Sequence, residues 1–238
     1  MMAAKAGGSG RFLLVLAAVA LAGGAALWFS TRRAAAPGGI PVDVEVQHSD
    51  TAGFRGYVLG SATAPVEVVE YADYQCPACN LFESVQFPDV KTRLIDAGRV
   101  RWVFRDYPLE MHPHARVAAH AAACADEQGQ FWPMHHRIFA TQSGWSRRSS
   151  ASGAFADMAR EVGLDAARYD ECMSSAKFAG RIEGSRLQAI AAGASSTPSF
   201  VIGGRLYAGV MPFDRIRALV DSLAPVAPAP TAAPAARP

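Results

Sequence analysis

Residues 68–79 read VVEYADYQCPAC, and this stretch decides how the rest of the chain is parsed. From Pro65 to Tyr71 the sequence is short, Val-rich and alternating, the pattern of a strand. After Cys76-Pro77-Ala78-Cys79, residues Leu81, Phe82, Val85, Val90 and Leu94 recur at helical spacing as far as Ala97. Pro88 should kink or break that helix. Cys76 therefore falls where a strand ends and a helix begins. Backbone N–H groups and the helix dipole favour a thiolate there, and Pro77 suits a first turn that needs no N–H. Two intervening residues bring the second sulfur round to the first. An accessible sulfur beside a shielded one is the requirement of disulfide exchange. A C-x-x-C is also half of a structural zinc site, which needs a second pair or close Cys/His ligands. Cys124 and Cys172 are far apart and isolated. The pattern favours redox chemistry, with a copper- or zinc-binding module using the C-x-x-C as the alternative.

Working outward, Val100–Phe104 reads as a second strand, and residues 115–192 carry Ala, Leu, Met and Phe at helical spacing. Breaks at Ser143-Gly144 and 146–153 divide that block into three or four helices. Ser199–Ile202 returns to β pattern, Gly203-Gly204 is a two-residue hairpin turn, and Arg205–Tyr207 follows. A last amphipathic helix turns Ile216, Leu219, Val220 and Leu223 inward. Val42, Val44 and Val46 alternate as a first strand ahead of all this. The fold class is α/β, a sheet interrupted by a helical insertion.

The ends have a different texture. Lys5 and Arg11 precede an uncharged run from Phe12 to Thr31, followed by Arg32-Arg33. That is the layout of an export signal, and the run is close to the ~20 residues of a membrane span. Trp28 and Phe29 sit where interfacial aromatics belong, while Ala20-Leu21-Ala22 offers a small-residue cleavage site. Residues 1–33 are thus a signal peptide or an N-terminal membrane anchor, and 34–53 a linker and first strand. Either reading places the rest in the periplasm or on the extracytoplasmic face of the membrane, where disulfides persist. Residues 224–238, Pro/Ala-rich, are expected to be a disordered tail. With 238 residues, half of them apolar, the chain holds one full domain. A net charge of +2 without basic runs in its body argues against a nucleic-acid partner.

Cys124 lies at the beginning of the helical block and Cys172 towards its end. An even cysteine count and the exported context favour a structural disulfide between them over two buried thiols. His112, His114 and His120 read as surface or helix-packing residues rather than a metal cluster, and His135-His136 beside Trp132 as packing within the helical block. No metal site is assigned.

Three motifs in order, VVEYADYQCPAC (68–79), AACADEQGQFW (122–132) with His135 beyond it, and STPSF (196–200), resemble the DsbA-like branch of the thioredoxin superfamily over about residues 54–223. The resemblance implies a thioredoxin fold split into halves at 54–111 and 193–223 by a helical domain at 112–192. It makes Cys76 the nucleophile and Cys79 the resolving cysteine. It makes Pro198 a cis proline whose neighbour Thr197 lies beside the sulfurs and pairs with an extended client. It makes Glu70 a buried acid that exchanges a proton with Cys79. No cofactor is implied. Partners would be exported client proteins with cysteines and a DsbB-like or VKOR-like membrane protein that restores the disulfide. Two positions depart from the strongest oxidases: Ala78 stands where they carry His, and Thr197 where many carry Val. The missing imidazolium predicts a milder oxidant. The oxidising direction is expected, with reductase or isomerase activity on the same fold as the alternative.

Overall fold

A computed structural model of the chain describes residues 40–41 and 44–224. The expected signal or anchor and nearly all of the Pro/Ala tail lie outside these residues. Among the described residues no helix is long and apolar enough to cross a membrane.

After a short helix α1 (His48–Thr51), five strands form one mixed sheet: β1 (Tyr57–Leu59), β2 (Val66–Ala72), β3 (Val100–Asp106), β4 (Ser199–Ile202) and β5 (Arg205–Ala208). Their spatial order is β1-β3-β2-β4-β5, with β2 and β3 parallel and the other pairs antiparallel. The parallel pair requires a crossover, supplied by the helical run between Cys76 and Ile95. The hairpin joining β4 to β5 turns through Gly203 and Gly204, both at positive φ, as a two-residue turn between right-twisted strands demands.

Alternation along β2 puts Val66, Val68 and Glu70 on one face. There they meet Trp102 and Phe200, covered by Phe82, Phe87, Val90 and Leu94 of the crossover and by Ile216 and Val220 of α10 (Phe213–Leu223). Tyr71 and Tyr107 meet Ala189 and Ala194 in a separate small cluster.

The crossover does not break at Pro88. It runs as α2 (Pro77–Leu81), a π-helical turn Phe82–Gln86, α3 (Phe87–Val90) and a second π-helical turn Lys91–Ile95. The Phe87 N–H donates to the Phe82 carbonyl five residues back, and Pro88 falls in the first turn of α3, where its missing N–H is tolerated. The wider turn also changes which residues face inward. Phe82, Phe87, Val90 and Leu94 are buried, whereas Leu81 and Val85, expected in the core from a 3.6-residue period, are more than half exposed.

Between β3 and β4 six helices occur rather than three or four: α4 (Ala115–Asp126), α5 (Phe131–Ala140), α6 (Gln142–Trp145), α7 (Ser152–Glu161), α8 (Ala166–Ser174) and α9 (Ala179–Ala191). Short elements such as α6 span too little sequence to show a period. Their core includes Ile138, Trp145, Phe155 and Ile182, and continues into Tyr57, Tyr74 and Phe104 of the sheet half. Cys124 on α4 and Cys172 on α8 are bonded across it, with Cα atoms 5.8 Å apart.

The strand expected at Val42, Val44 and Val46 is corrected at its described residues. Val44 and Val46 lie outside any strand, and the sheet begins at Tyr57. The chain here instead packs on α9, where a side chain at Gly184 would clash with Thr51 and touch Val46, and one at Gly180 would strike Asp50. Apolar alternation reports a half-buried segment, not the partner that buries it.

Two expectations concern stability. Replacing both Cys124 and Cys172 by Ala opens a loop with a sequence separation of 48. By the chain-entropy relation this should cost about 4 kcal/mol in denaturant unfolding. Asp106, buried at the end of β3, is raised by burial from 3.8 to about 7 despite the opposing influence of Arg181 and Tyr57. The folded state then holds a proton that the unfolded state releases, so stability from this group falls as pH rises from 3.8 towards about 7. Unfolding curves of Asp106→Asn should lose that slope and show a protein more stable than its parent at alkaline pH.

Candidate active site

Cys76 is the N-cap of α2, with extended backbone (φ −70°, ψ 122°), and Pro77 follows in the first turn. Its sulfur faces the amides that the helix leaves unpaired. Cys76 is 7% exposed and Cys79 fully buried, and both are free thiols. As a thiol, Cys76 donates to the Thr197 carbonyl at 3.4 Å. As a thiolate it accepts from the Cys79 thiol, the strongest influence on it. The Thr197 hydroxyl, otherwise unpartnered, and the N–H groups of Cys79 and Ala78 add to this. These outweigh the cost of burial and bring Cys76 from 9.0 down to about 6. Cys79 goes the other way. Burial is the main cause, the Cys76 charge adds to it, and the Asp73 N–H at 3.5 Å compensates only in part. One cysteine is thus an anion at neutral pH and its partner a thiol.

Thr197 and Pro198, joined by a cis peptide bond, immediately precede β4, which pairs with β2. This pairing brings the two cysteines and Thr197 together although 121 residues separate Cys76 from Thr197. Glu70, also predicted, lies buried on β2 and accepts from the Trp102 indole N–H at 3.1 Å. Burial, reinforced by the nearby Glu83 charge, raises its carboxyl well above the usual range, and its charge is felt at Cys79. Ala78, between the cysteines, contributes its backbone amide and no side-chain charge.

Several residues around the sulfurs were not picked out from the sequence. Gln142 on α6 donates to the carbonyls of Tyr74 (2.7 Å) and Cys76 (3.0 Å), and its own carbonyl accepts from Asn80 (3.2 Å). Gln75 is held by the Ser146 carbonyl and the His114 N–H. Asp73 accepts from the backbone of Gln75 and Leu109 and bonds His112 at 2.8 Å. The Asp73 carboxylate raises His112, and the Cys76 charge acts on it in the same sense. An imidazole absent from position 78 is therefore present from another loop, within the field of the same sulfur. His114 bonds the Arg148 carbonyl, and His120 is buried beside the Cys124–Cys172 bridge. Thus the three histidines first read as surface or packing residues take three separate places. The only hint in the sequence was their polarity in an otherwise apolar block.

The His135-His136 pair, expected to pack within the helical block, joins Tyr74 and Glu83 in a polar cluster. The Tyr74 hydroxyl meets His135 Nδ1 at 2.9 Å, and the Glu83 carboxylate lies 3.5 Å from His135 Nε2 and 2.6 Å from His136 Nδ1. Burial pushes Glu83 up, but the two histidines outweigh it and hold it at about 2.

The family model described as thioredoxin matches residues 54–222. Among curated proteins, the chain is 37% identical over 169 residues to the protein named Na(+)/H(+) antiporter NhaA 3 of Salinispora tropica, covering 71% of this chain but 24% of that protein. The chain thus spans about a quarter of the length of such relatives, and their name describes a much longer protein. It is 25% identical to Disulfide bond formation protein D of Bacillus subtilis, over 69% of this chain and 75% of that one. The crystal structure of Wolbachia pipientis alpha-DsbA1 superposes with a TM-score of 0.64 at 23% identity, covering 74% of this chain and 95% of that one, a likeness of fold. With the matched segment running from before β1 into α10, the chain belongs to the thioredoxin family and has the fold of its DsbA-like branch.

Proposed function

We propose that this chain is a thiol–disulfide oxidoreductase that introduces disulfides into client proteins outside the cytoplasm, through Cys76 and Cys79. The observation that carries the reading is the opposite displacement of two neighbouring thiols, Cys76 down to about 6 and Cys79 well above 9.0. Stabilising the reduced pair makes the corresponding disulfide an oxidant. The similarity to a protein named for disulfide bond formation supports the same class.

In the oxidising direction a client thiolate attacks Cys76 Sγ of the disulfide form, and the Cys76–Cys79 bond breaks. Cys79 leaves with the electron pair and takes a proton from Glu70, whose raised carboxyl carries one. A second client thiolate then attacks the client sulfur of the mixed disulfide, and Cys76 departs as a stabilised thiolate. The client loses two electrons and the chain gains two. Thr197 and Pro198, beside Cys76 at the start of β4, would receive the extended client segment. A DsbB-like or VKOR-like quinone-linked membrane protein would take the electrons onward. The N-terminal segment would export the chain, either as an anchor or as a signal that is removed.

Ala78 favours a milder oxidant than an imidazole there would give, so the potential against glutathione is the deciding measurement. A value near about −120 mV marks a dedicated oxidase, and one near about −270 mV would overturn the direction in favour of a reductase. Alkylation of reduced Cys76 should rise with pH about a midpoint near 6, and Cys79→Ala should move that midpoint towards 9.0, since the Cys79 thiol is the main stabiliser. Cys76→Ser should abolish oxidation of a dithiol peptide. Glu70→Gln should slow formation of the mixed disulfide, the step in which Cys79 departs, by about a hundredfold while leaving Cys76 alkylation intact. Turnover retained in Cys76→Ser, or stoichiometric zinc or copper held by the reduced pair without turnover, would sink the enzyme reading.

A further inference from the structure

We propose that Glu83, His135 and His136 form a binding site for a divalent transition metal of the zinc class, separate from the two cysteines. Glu83 lies on the π-helical turn Phe82–Gln86, and the two histidines are consecutive on α5, which packs against it. Consecutive helical side chains diverge by about 100°, and here they bracket the carboxylate. His136 Nδ1 meets Oε1 at 2.6 Å, and His135 Nε2 stands 3.5 Å from Oε2. Donor atoms of all three residues lie within 4.8 Å of one another.

The second observation is His135 itself. The residue is 1% exposed, and its buried Nε2 has no hydrogen-bond partner although it is aimed at Glu83. An unpaired buried nitrogen is costly, and a metal ion between it and the carboxylate would satisfy it. The other ring nitrogen, Nδ1, is already engaged by the Tyr74 hydroxyl at 2.9 Å. Metal-bound histidines commonly use their remaining nitrogen in such a bond, which orients the ring.

Two imidazoles and one carboxylate match zinc sites that keep a fourth position open, and the same donors suit other first-row divalent ions. With metal–ligand bonds of about 2.0–2.2 Å, tetrahedral donors sit about 3.3 Å apart. The His135–Glu83 spacing is already near that value. The closer His136–Glu83 pair must open, and His136, whose side chain is 41% exposed, lies where a ring can move and an ion can enter. Trp132, Phe87 and Phe104 ring the two imidazoles and form an apolar wall. The other group of candidate ligands, His120 with Cys124 and Cys172, has its sulfurs bonded to each other.

The test uses the full untagged chain with Cys76 and Cys79 oxidised to the disulfide, so that neither sulfur competes. Calorimetric titration with Zn²⁺ should show one saturable site, and Co²⁺ should give visible ligand-field bands that zinc displaces. His136→Ala and Glu83→Gln should each weaken zinc binding by at least about tenfold, and Tyr74→Phe by about tenfold through loss of the bond that orients His135. His114→Ala should bind as the parent does. The half-exposed His136 and the near-isosteric Gln keep the fold, which circular dichroism checks. Absence of saturable binding, or binding retained in both His136→Ala and Glu83→Gln, would overturn the proposal.

Discussion

The sulfur of Cys76 sits at the one kind of backbone position where a helix leaves amides without partners. Much of the centre's chemistry depends on that placement. The N–H groups of Ala78 and Cys79 face the sulfur, and α2 turns Cys79 inward, where burial keeps its proton on. A few residues along a helix thus separate an anion from a thiol. The two halves are coupled: the Cys79 thiol is the strongest stabiliser of the Cys76 thiolate, the helix-end amides add to it, and burial keeps the proton on Cys79.

Holding that helix end against a sheet and a separate helical block costs polar groups, and these are paired from both sides. Gln142 closes the carbonyls of Tyr74 and Cys76, Gln75 is pinned by the backbones of Ser146 and His114, and Asp73 ties the loop to Leu109 and His112. The helical block is therefore part of the site and not an appendage to it. The π-helical turn Phe82–Gln86 packs against α5 of that block. The wider turn keeps Phe82 and Phe87 in the core and leaves Glu83 facing the histidines of α5.

Glu70, buried, and Glu83, part-buried, are two acids pushed in opposite directions. Glu70 has a single indole donor and burial pushes its carboxyl towards the protonated form, whereas Glu83 has two imidazoles that hold it towards the ionised form. The charge on one raises the other. Two carboxyls of the same chemistry are thus set apart by their neighbours.

Some of this is written in local sequence. Alternation through residues 66–71, the Cys76-Pro77 junction, the Gly203-Gly204 turn and the recurrence of motifs around a helical block determine the strands, the hairpin and the position of the cysteines, because each depends on neighbours within a few residues. Glu70 was picked out by the resemblance to the DsbA-like branch, and the strand's period of two then puts it on the buried face of Val66 and Val68. Other features depend on contacts that local patterns do not encode. The π-helical turns kept Phe82 inward, added Phe87 and turned Leu81 and Val85 out. Val46 found a helix where a strand partner was expected. Gln142, His112, Glu83 and the His135-His136 pair gained their places only when distant segments were packed together. Sequence alone determined which residues could carry redox chemistry; tertiary structure decided their ionisation, because a pKa is set by burial and by charges brought close in space, not by spacing along the chain.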